Sequence, residues 1–518
     1  MCRSRLGLLT ATYWRGCLSH IVRAGSHAFM FLDTIHGVIN RRVFLNYRIN
    51  PEVLGRLLPP PFKPKLYAGH GVGGVCMTDD RRARFACAWS PFWGTLRPMT
   101  ATAAAPARSS DRIMSVDALR GLVMFTMIFV NDLAGAPDRI VPPWMKHFHG
   151  KSGMTFVDLV FPAFLFIVGM SVPFGLGARR TRGDSFWNMM FHIAARTLAL
   201  LAIGIMMVNE SPDSEIMGWS AALWSTLMFL CAILAFCRIC PRSAVGDEAK
   251  LRTWRRASVA LRVVGGVGLV WLAFAFRGEN GRRIIAGSPF SIHTEWYGIL
   301  GLIGWAYLVS SIVYLVFHDN RTALLGCVVL LMCLYPAARN GAFDHFWLAH
   351  YVGIGETLGS QASLTTAGML LAAILVGPDM ITVRARTRFT LLFVAGFAAA
   401  ALLLNPLYGI NKNNATPSWC LWSCAITAVF WLVFYWISEV HPVGFVTKPL
   451  SVAGQNVLLA YLLSEMLPSA INVLHLGDWY GRVAETNLTF AIARSAICAA
   501  VILCATAQLN RVGFRLKL

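Results

Sequence analysis

Groups able to do acid–base or group-transfer chemistry crowd one short stretch, where Asn131, Asp132, His147, His149, Lys151 and Asp158 punctuate FVNDLAGAPDRIVPPWMKHFHGKSGMTFVDLVFPAFLFIVG, residues 129–169. Histidine titrates near neutrality and its imidazole is nucleophilic, so it can take a proton or carry an acyl group. A nearby carboxylate can orient the ring, and an asparagine N–H can hold a carbonyl oxygen as it becomes an oxyanion. Polar groups of this kind are expensive beside lipid, yet the runs on both sides are apolar enough to lie there. The chain shows no Ser-His-Asp spacing and no glycine-rich phosphate loop, which leaves a serine hydrolase or an NTPase without support.

The elements that must hold this cluster are membrane spans. Hydrophobic residues make up 56% of the 518-residue chain and charged ones 14%, with a mean hydropathy of +0.57; an ordinary soluble domain is about half apolar and a quarter charged. The apolar windows are continuous and rich in Leu, Ala and Phe rather than alternating, which predicts helices, because each backbone amide in lipid must be satisfied within its own helix or in a closed barrel. The expected fold is all-α, a polytopic transmembrane helical bundle of about 11–12 spans. Spans are expected to start near Ile113, Thr155, Met189, Trp219, Ser258, Trp296, Thr322, Leu364, Arg388, Ser418, Val452 and Thr489.

The net charge of +21 is distributed by loop. Basic residues fill ARRTRG (178–183), the segment from Arg238 to Arg256, RARTR (384–388) and the tail NRVGFRLKL, whereas NESPDSE, NGAFDHF and HLGDWYGRVAE hold most of the acids. The positive-inside rule then puts both termini in the cytoplasm and the opening cluster on the other side of an inner (plasma) membrane. Lipid is the expected surroundings, and nucleic acid is not an expected partner. One loop dissents: RGENGRRIIAG (277–287) should be outside yet carries Arg277, Arg282 and Arg283. The thirteen cysteines fall mostly singly inside expected spans. Cys237 with Cys240, and Cys420 with Cys424, lack the further ligands of a zinc site, so no metal is expected.

Residues 1–110 are a different text. MFLDTIHGVINRRVFLNYRINPEVLGRLLPPPFKPKLYAGHGVGGVCM (30–77) resembles the start of a soluble family of unknown function related in fold to acetoacetate decarboxylase, and the likeness stops before such a domain could close a core. The expectation is a poorly ordered extension, a truncated remnant or a misassigned start, with the working protein beginning near Met99 or Met114 and a transmembrane acyltransferase domain over 111–518. An ordered cytoplasmic accessory domain is the alternative.

MSVDALRGLVMFTMIFVND followed by GMTFVDLVFPAFLFIVGMSVPF resembles the heparan-alpha-glucosaminide N-acetyltransferase family and its bacterial relatives, and the likeness resumes in LYGINKNNATPSWCLWSCAITAVFWLVFYWISEV and PLSVAGQNVLLAYLLSEML. The resemblance implies a membrane acetyltransferase that moves acetyl from cytoplasmic acetyl-CoA, its co-substrate, to an amino sugar or other envelope glycan on the far side, with a homodimer allowed. It carries onto Asn131 and onto a loop histidine. Counting back from Asp158 lands on Phe148; His147 is chosen because it follows Lys146 in the family's K-H order, with His149 as the alternative base. Beside the histidine, Asp158 would orient it or serve as a structural pair. Asp117 and Arg120 are either an ion pair or contacts to CoA phosphates. Gln455 and Asn456 are either interhelical hydrogen bonds or cofactor contacts. Asn411, Lys412 and Asn413, with Ser418, are either a polar capped turn or a substrate site, and Trp347, among His345, His350 and Tyr351, either stacks on a sugar or belongs to an interfacial belt. A transporter of a small anion or lipid-linked sugar is the competing class, although no internal repeat is visible.

Overall fold

The computed structural model describes residues 113–518, apart from 210–211, 242–246, 288–289, 295 and 377–381, together with five strands between residues 34 and 86. The chain divides into two compact units, Met1–Thr102 and Ala103–Leu518. In the first, β1 (Thr34–Ile39), β2 (Arg42–Ile49), β3 (Leu66–Tyr67), β4 (His70–Thr78) and β5 (Arg84–Ala86) form an antiparallel sheet in the order β1-β2-β4-β3, with β5 also on β4. β2 and β4 pair without interruption from Arg42↔Thr78 to Ile49↔Gly71. Residues 1–33 and 87–112, where a poorly ordered extension is expected, lie outside the described residues.

The second unit is an all-α bundle. Its main helices are α1 (Met114–Leu133), α2 (Val157–Thr181), α3 (Phe186–Val208), α4 (Ala221–Ala235), α5 (Glu248–Ala275), α6 (Gly298–Phe317), α7 (Arg321–Arg339), α8 (Ala362–Val376), α9 (Val383–Tyr408), α10 (Pro417–Tyr435), α11 (Gly444–Ala453), α12 (Val457–Val473), α13 (Gly477–Thr486) and α14 (Leu488–Arg511). Their starts are written in the turn residues. Ser185, Asp247, Asn320, Thr382 and Asn487 each accept a backbone N–H of the helix they open, satisfying donors that have no partner within the helix.

Among the described residues ten helices are long and apolar enough to cross a membrane, and the pair α11 and α12, bent by 74° at the Gly454–Asn456 break, makes an eleventh if counted as one span. The span expected near Trp219 is α4, whose 15 residues fall short of the roughly 20 that cross a bilayer. Two starts lie about three turns before the expected position. α5 begins at Glu248 because the charged EAKLRTWRR is already helical, and the span expected at Leu364 begins at Ile354 in a polar π-helical stretch, IGETLGSQ. Hydropathy sees neither, since it weighs side chains and not backbone.

The π-helical stretch and α8 form the centre of the bundle, with 94% of the apolar window of Ile354–Leu375 buried. Glycines let α2 and α8 touch backbone to backbone: a Cβ on Gly169 would strike the Thr365 carbonyl, and one on Gly368 the Phe166 carbonyl. The same holds where α1 meets α11, with Gly121 against Leu450 and Gly454 against Asp117. Small residues at such crossings replace the hydrophobic drive that lipid does not supply.

Contacts between loops tie distant segments together at two places. At one, β6 (Cys237–Ile239) pairs with the tail strand β9 (Phe514–Leu516), and Lys517 N–H donates to Phe236 O at 3.0 Å. At the other, Asp213 N–H donates to Arg277 O, beside a short hairpin of β7 (Ile285–Gly287) and β8 (Phe290–Ile292). The dissenting Arg277 is explained locally, as its guanidinium caps the last carbonyls of α5 at Phe274 and Phe276, each at 2.7 Å.

Candidate functional site

At the end of the bundle where α1 gives way to α2, the loop of 134–156 is tied down before it reaches its histidine. A 3-10 turn at Pro143–Met145 sends Met145 into a small core with Leu133, Ala136 and Val141. Lys146 Nζ bonds Asp138 through both its backbone oxygen (2.8 Å) and its carboxylate (2.6 Å), and this hydrogen bond from the lysine holds the exposed Asp138 carboxyl below the usual carboxylate value. His147 follows directly.

Asp158 occupies the first turn of α2 and folds back onto the loop. Its Oδ2 accepts the N–H of Thr155 and of Phe148, both at 3.0 Å, and its Oδ1 lies 2.8 Å from His147 Nδ1. A carboxylate at a helix N-terminus is where the helix field favours it, so one side chain caps the helix and orients the ring. Asp158 is 1% exposed, whereas the His147 side chain is 44% exposed. An ionised carboxylate only accepts, so the proton is assigned to Nδ1 and the lone pair to Nε2.

Lys412 arrives from the far end of the sequence. The turn between α9 and α10 opens at Gly409, whose φ of 65° lies in the left-handed region. It docks on the first loop through Gly153 N–H to Ile410 O (2.8 Å) and Ile410 N–H to Ser152 Oγ (3.0 Å). Asn411 shapes the turn from within, its Oδ1 accepting Asn414 N–H and its own N–H donating to Thr416 Oγ1. Lys412 Nζ then lies 3.0 Å from Nδ1 and 3.2 Å from Nε2 of His147, and 4.0 Å from Asp158 Oδ1. Nearly equal distances to two ring nitrogens put the ammonium over the imidazole face, since an in-plane approach would collide with the ring carbon between them. The Nε2 lone pair stays open in the plane. Burial pulls Lys412 below the ordinary lysine value of 10.5, against the opposing attraction of Asp158.

The other expected site residues divide. His149 is exposed, and among the described residues no hydrogen bond or ion pair joins it to Asp158. Phe148, where the register count lands, gives its N–H to Asp158, and its ring fills the loop against Gly150 and Gly153. Asn131 is at the exposed end of α1, where Nδ2 donates to Glu465 Oε1 on α12 at 3.0 Å; among the described residues no hydrogen bond joins it to His147. Its neighbour Asp132 turns inward to Tyr480 OH (2.6 Å), Ser495 Oγ (2.6 Å) and Arg494 (3.1 Å), a cluster that clamps α1 to α13 and α14. Burial, then the bond to Asp132, pushes the Tyr480 hydroxyl well up. Asn413 is exposed with no hydrogen bond to the protein among the described residues, and Trp347, 65% exposed, packs on its neighbours Phe346 and Tyr351.

Beneath this cluster a cavity of about 450 Å³ opens toward the basic face, between α1, α2, α3, α6 and the α11–α12 break. Arg120 lines it while paired with Asp117 (2.8 Å), Ser171 Oγ (2.6 Å) and Gly454 O (3.2 Å). Gln455 and Asn456 also line it, yet their amides clasp the tail: Asn510 Nδ2 donates to Gln455 Oε1 (3.1 Å), Asn456 Nδ2 to Phe514 O (3.3 Å), and Leu516 N–H to Asn456 Oδ1 (3.2 Å). Arg179, Arg182, Arg196 and Lys517 complete a cationic wall, with His192 among them. Arg196 stacks over the Tyr307 ring at 4.6 Å, and its Nε is buried without a hydrogen-bond partner among the described residues. Lys517 is held below 10.5 by burial and then by Arg238, Arg179 and Arg182. The upper end, at Met127 and Phe164, stops about 6 Å below Asn131 and about 9 Å below Asp158, counting residues along α1 and α2.

Glu465 and Arg196 were not singled out by the sequence reading. Both are lone charges inside apolar spans, a signal of function that needs no alignment. Among the described residues no group of three or more His, Cys, Asp or Glu could hold a metal ion.

Residues 112–347 match the family model described as "Domain of unknown function (DUF5009)". The chain is 34% identical over 121 residues to human "Heparan-alpha-glucosaminide N-acetyltransferase", covering 23% of this chain and 17% of that protein. It is 35% identical over 103 residues to the mouse protein of the same name, covering 20% and 15%. The chain is therefore a homologue of these acetyltransferases over that stretch, as the motifs imply, and the alignments span about a sixth of the relatives' length.

Proposed function

We propose that the protein is an integral membrane acetyltransferase that moves acetyl from cytoplasmic acetyl-CoA to an amino sugar or other envelope glycan on the opposite face. The observation that carries this reading is the couple of Asp158 with His147 Nδ1 at 2.8 Å, which assigns the lone pair to Nε2, together with a cationic cavity in the same bundle. The names of the homologues support the reaction class. The arginines and Lys517 at the cavity mouth fit a polyanionic nucleotide, and Arg196 Nε, without a hydrogen-bond partner among the described residues, is a donor for a phosphate or amide oxygen. The less polar upper part, with Met124, Met127, Phe164 and Ile167, fits a pantetheine arm.

Two routes use the same atom. In the first, Nε2 attacks the thioester carbonyl, the C–S bond breaks as CoA thiolate leaves, and the acceptor amine then takes the acetyl from the imidazole. In the second, the amine attacks the thioester directly, Nε2 takes its proton, and the C–S bond breaks as CoA thiolate leaves. In both, Asp158 stabilises the imidazolium, and an Asn131 N–H would hold the oxyanion.

The test is acetyl-CoA turnover by the detergent-purified protein with glucosamine as acceptor, comparing His147→Ala with His149→Ala. Turnover is expected to vanish in the first and persist in the second; equal activity of both with wild type overturns the assignment. Radiolabelled acetyl retained on the protein without acceptor would select the first route. Failure to bind acetyl-CoA would reject the acetyltransferase and favour the transporter.

A further inference from the structure

We infer that Glu465 is a positioning residue for acetyl transfer, fixing the Asn131 amide so that its second N–H faces the reacting carbonyl. The inference rests on the proposed function and extends it to a residue outside the motif cluster.

A half-buried carboxylate within an apolar span is costly and persists only with a partner. Asn131 Nδ2 donates to Glu465 Oε1 at 3.0 Å across the α1–α12 contact. An asparagine amide alone has two orientations, one presenting N–H and the other presenting oxygen. Only the first can stabilise an oxyanion; the second would repel it. An ionised carboxylate cannot donate, so Glu465 selects the orientation with Nδ2 toward α12. The second N–H of Asn131 makes no hydrogen bond to the protein among the described residues, and the side chain is exposed, so this donor is left for a ligand.

The backbone is fixed independently. The next residue, Asp132, is clamped by Arg494, Ser495 and Tyr480, which sets the rotation of the last turn of α1. The pair also stands at the right level. Tyr461, one turn before Glu465 on α12, and Met127, one turn before Asn131 on α1, both line the cavity. The Asn131–Glu465 bridge therefore stands about 6 Å beyond the upper end of the cavity, counted along the two helices.

The experiment is a double-mutant cycle on the full-length protein, with Glu465→Gln, Asn131→Ala and the pair, reading kcat and KM for acetyl-CoA. Glutamine has the same shape but can donate or accept, so the amide loses its fixed sense. Asn131→Ala should lower kcat about 10²-fold, as expected for loss of one oxyanion donor. Glu465→Gln should lower kcat about tenfold, with KM for acetyl-CoA changed less than about twofold, and should cost nothing further in the Asn131→Ala background. Glu465→Asp, which restores an acceptor-only partner, should recover part of the loss and shows that the Gln effect is not misfolding. A wild-type rate in Glu465→Gln, or fully additive losses in the double variant, would overturn the inference. Absence of acetyl transfer by the wild-type protein would overturn it together with the proposed function.

Discussion

Asp158→Asn changes one atom type at the centre of the site, and its effect can be worked out from the hydrogen bonds present. Asp158 accepts from His147 Nδ1 at 2.8 Å and from two backbone amides at 3.0 Å each. Both amides use Oδ2, so the asparagine must keep its oxygen there and turn its NH₂ toward His147. The imidazole then accepts at Nδ1, and its proton moves to Nε2, the atom that should act as base or nucleophile. The same inversion at a serine protease aspartate costs about 10⁴-fold in kcat. Here a fall of about 10² to 10⁴-fold is expected, since the exposed ring can turn to recover some activity. Losing the charge also weakens each of the hydrogen bonds by about 1 kcal/mol, so stability should drop by roughly 3 kcal/mol or less. The assay is CoA thiol release with acceptor in excess, with thermal unfolding in detergent as the fold control. A folded Asp158→Asn protein keeping more than about a tenth of wild-type kcat would refute the tautomer argument.

Lys412 should give an alkaline limb to the pH–rate profile below the ordinary lysine value of 10.5, because burial favours its neutral form. Activity falls as pH rises through that lowered value and the ammonium over the imidazole is lost; Lys412→Arg, charged throughout, should remove the limb while Lys412→Met lowers activity at every pH. The sign for stability is opposite, since the unfolded lysine keeps its proton to higher pH and folding is favoured as pH rises through the window. Arg196→Leu should raise KM for acetyl-CoA about tenfold with little change in kcat, read by initial rates, because a charge-assisted bond is worth roughly 1.5–3 kcal/mol. Asp132→Ala leaves Arg494, 7% exposed at its side chain, without its carboxylate; a loss of about 3 kcal/mol or more is expected, read as a lower melting temperature in detergent.

The helices were legible because lipid demands long, continuous apolar runs, and every expected span meets a helix. The α5 start at Glu248 and the π-helical stretch from Ile354 were not, since hydrogen-bonded backbone continues through residues that hydropathy scores as loop. At the site, His147 rests on the K-H order of the family resemblance, with His149 as the alternative, whereas Asp158 at the start of a span is a local signal. Lys412 was marked as polar and placed with a substrate, but its position over the imidazole depends on Gly153 meeting Ile410, a contact between two loops about 260 residues apart that no local pattern encodes. Gln455 and Asn456 line the cavity and also hold the tail strand, because amides at a helix break can serve both the chain and a ligand.

The docking of those two loops also has a meaning in time. Helices of a polytopic protein enter the membrane in chain order, and His147 with Asp158 would be in place once the second has entered. Lys412 can reach them only after α9 and α10 have followed, and the Asn131 partner Glu465 only after α12. The nascent protein would thus carry an uncompleted histidine through most of its synthesis, and its chemistry would switch on as a late event of assembly rather than accumulate span by span.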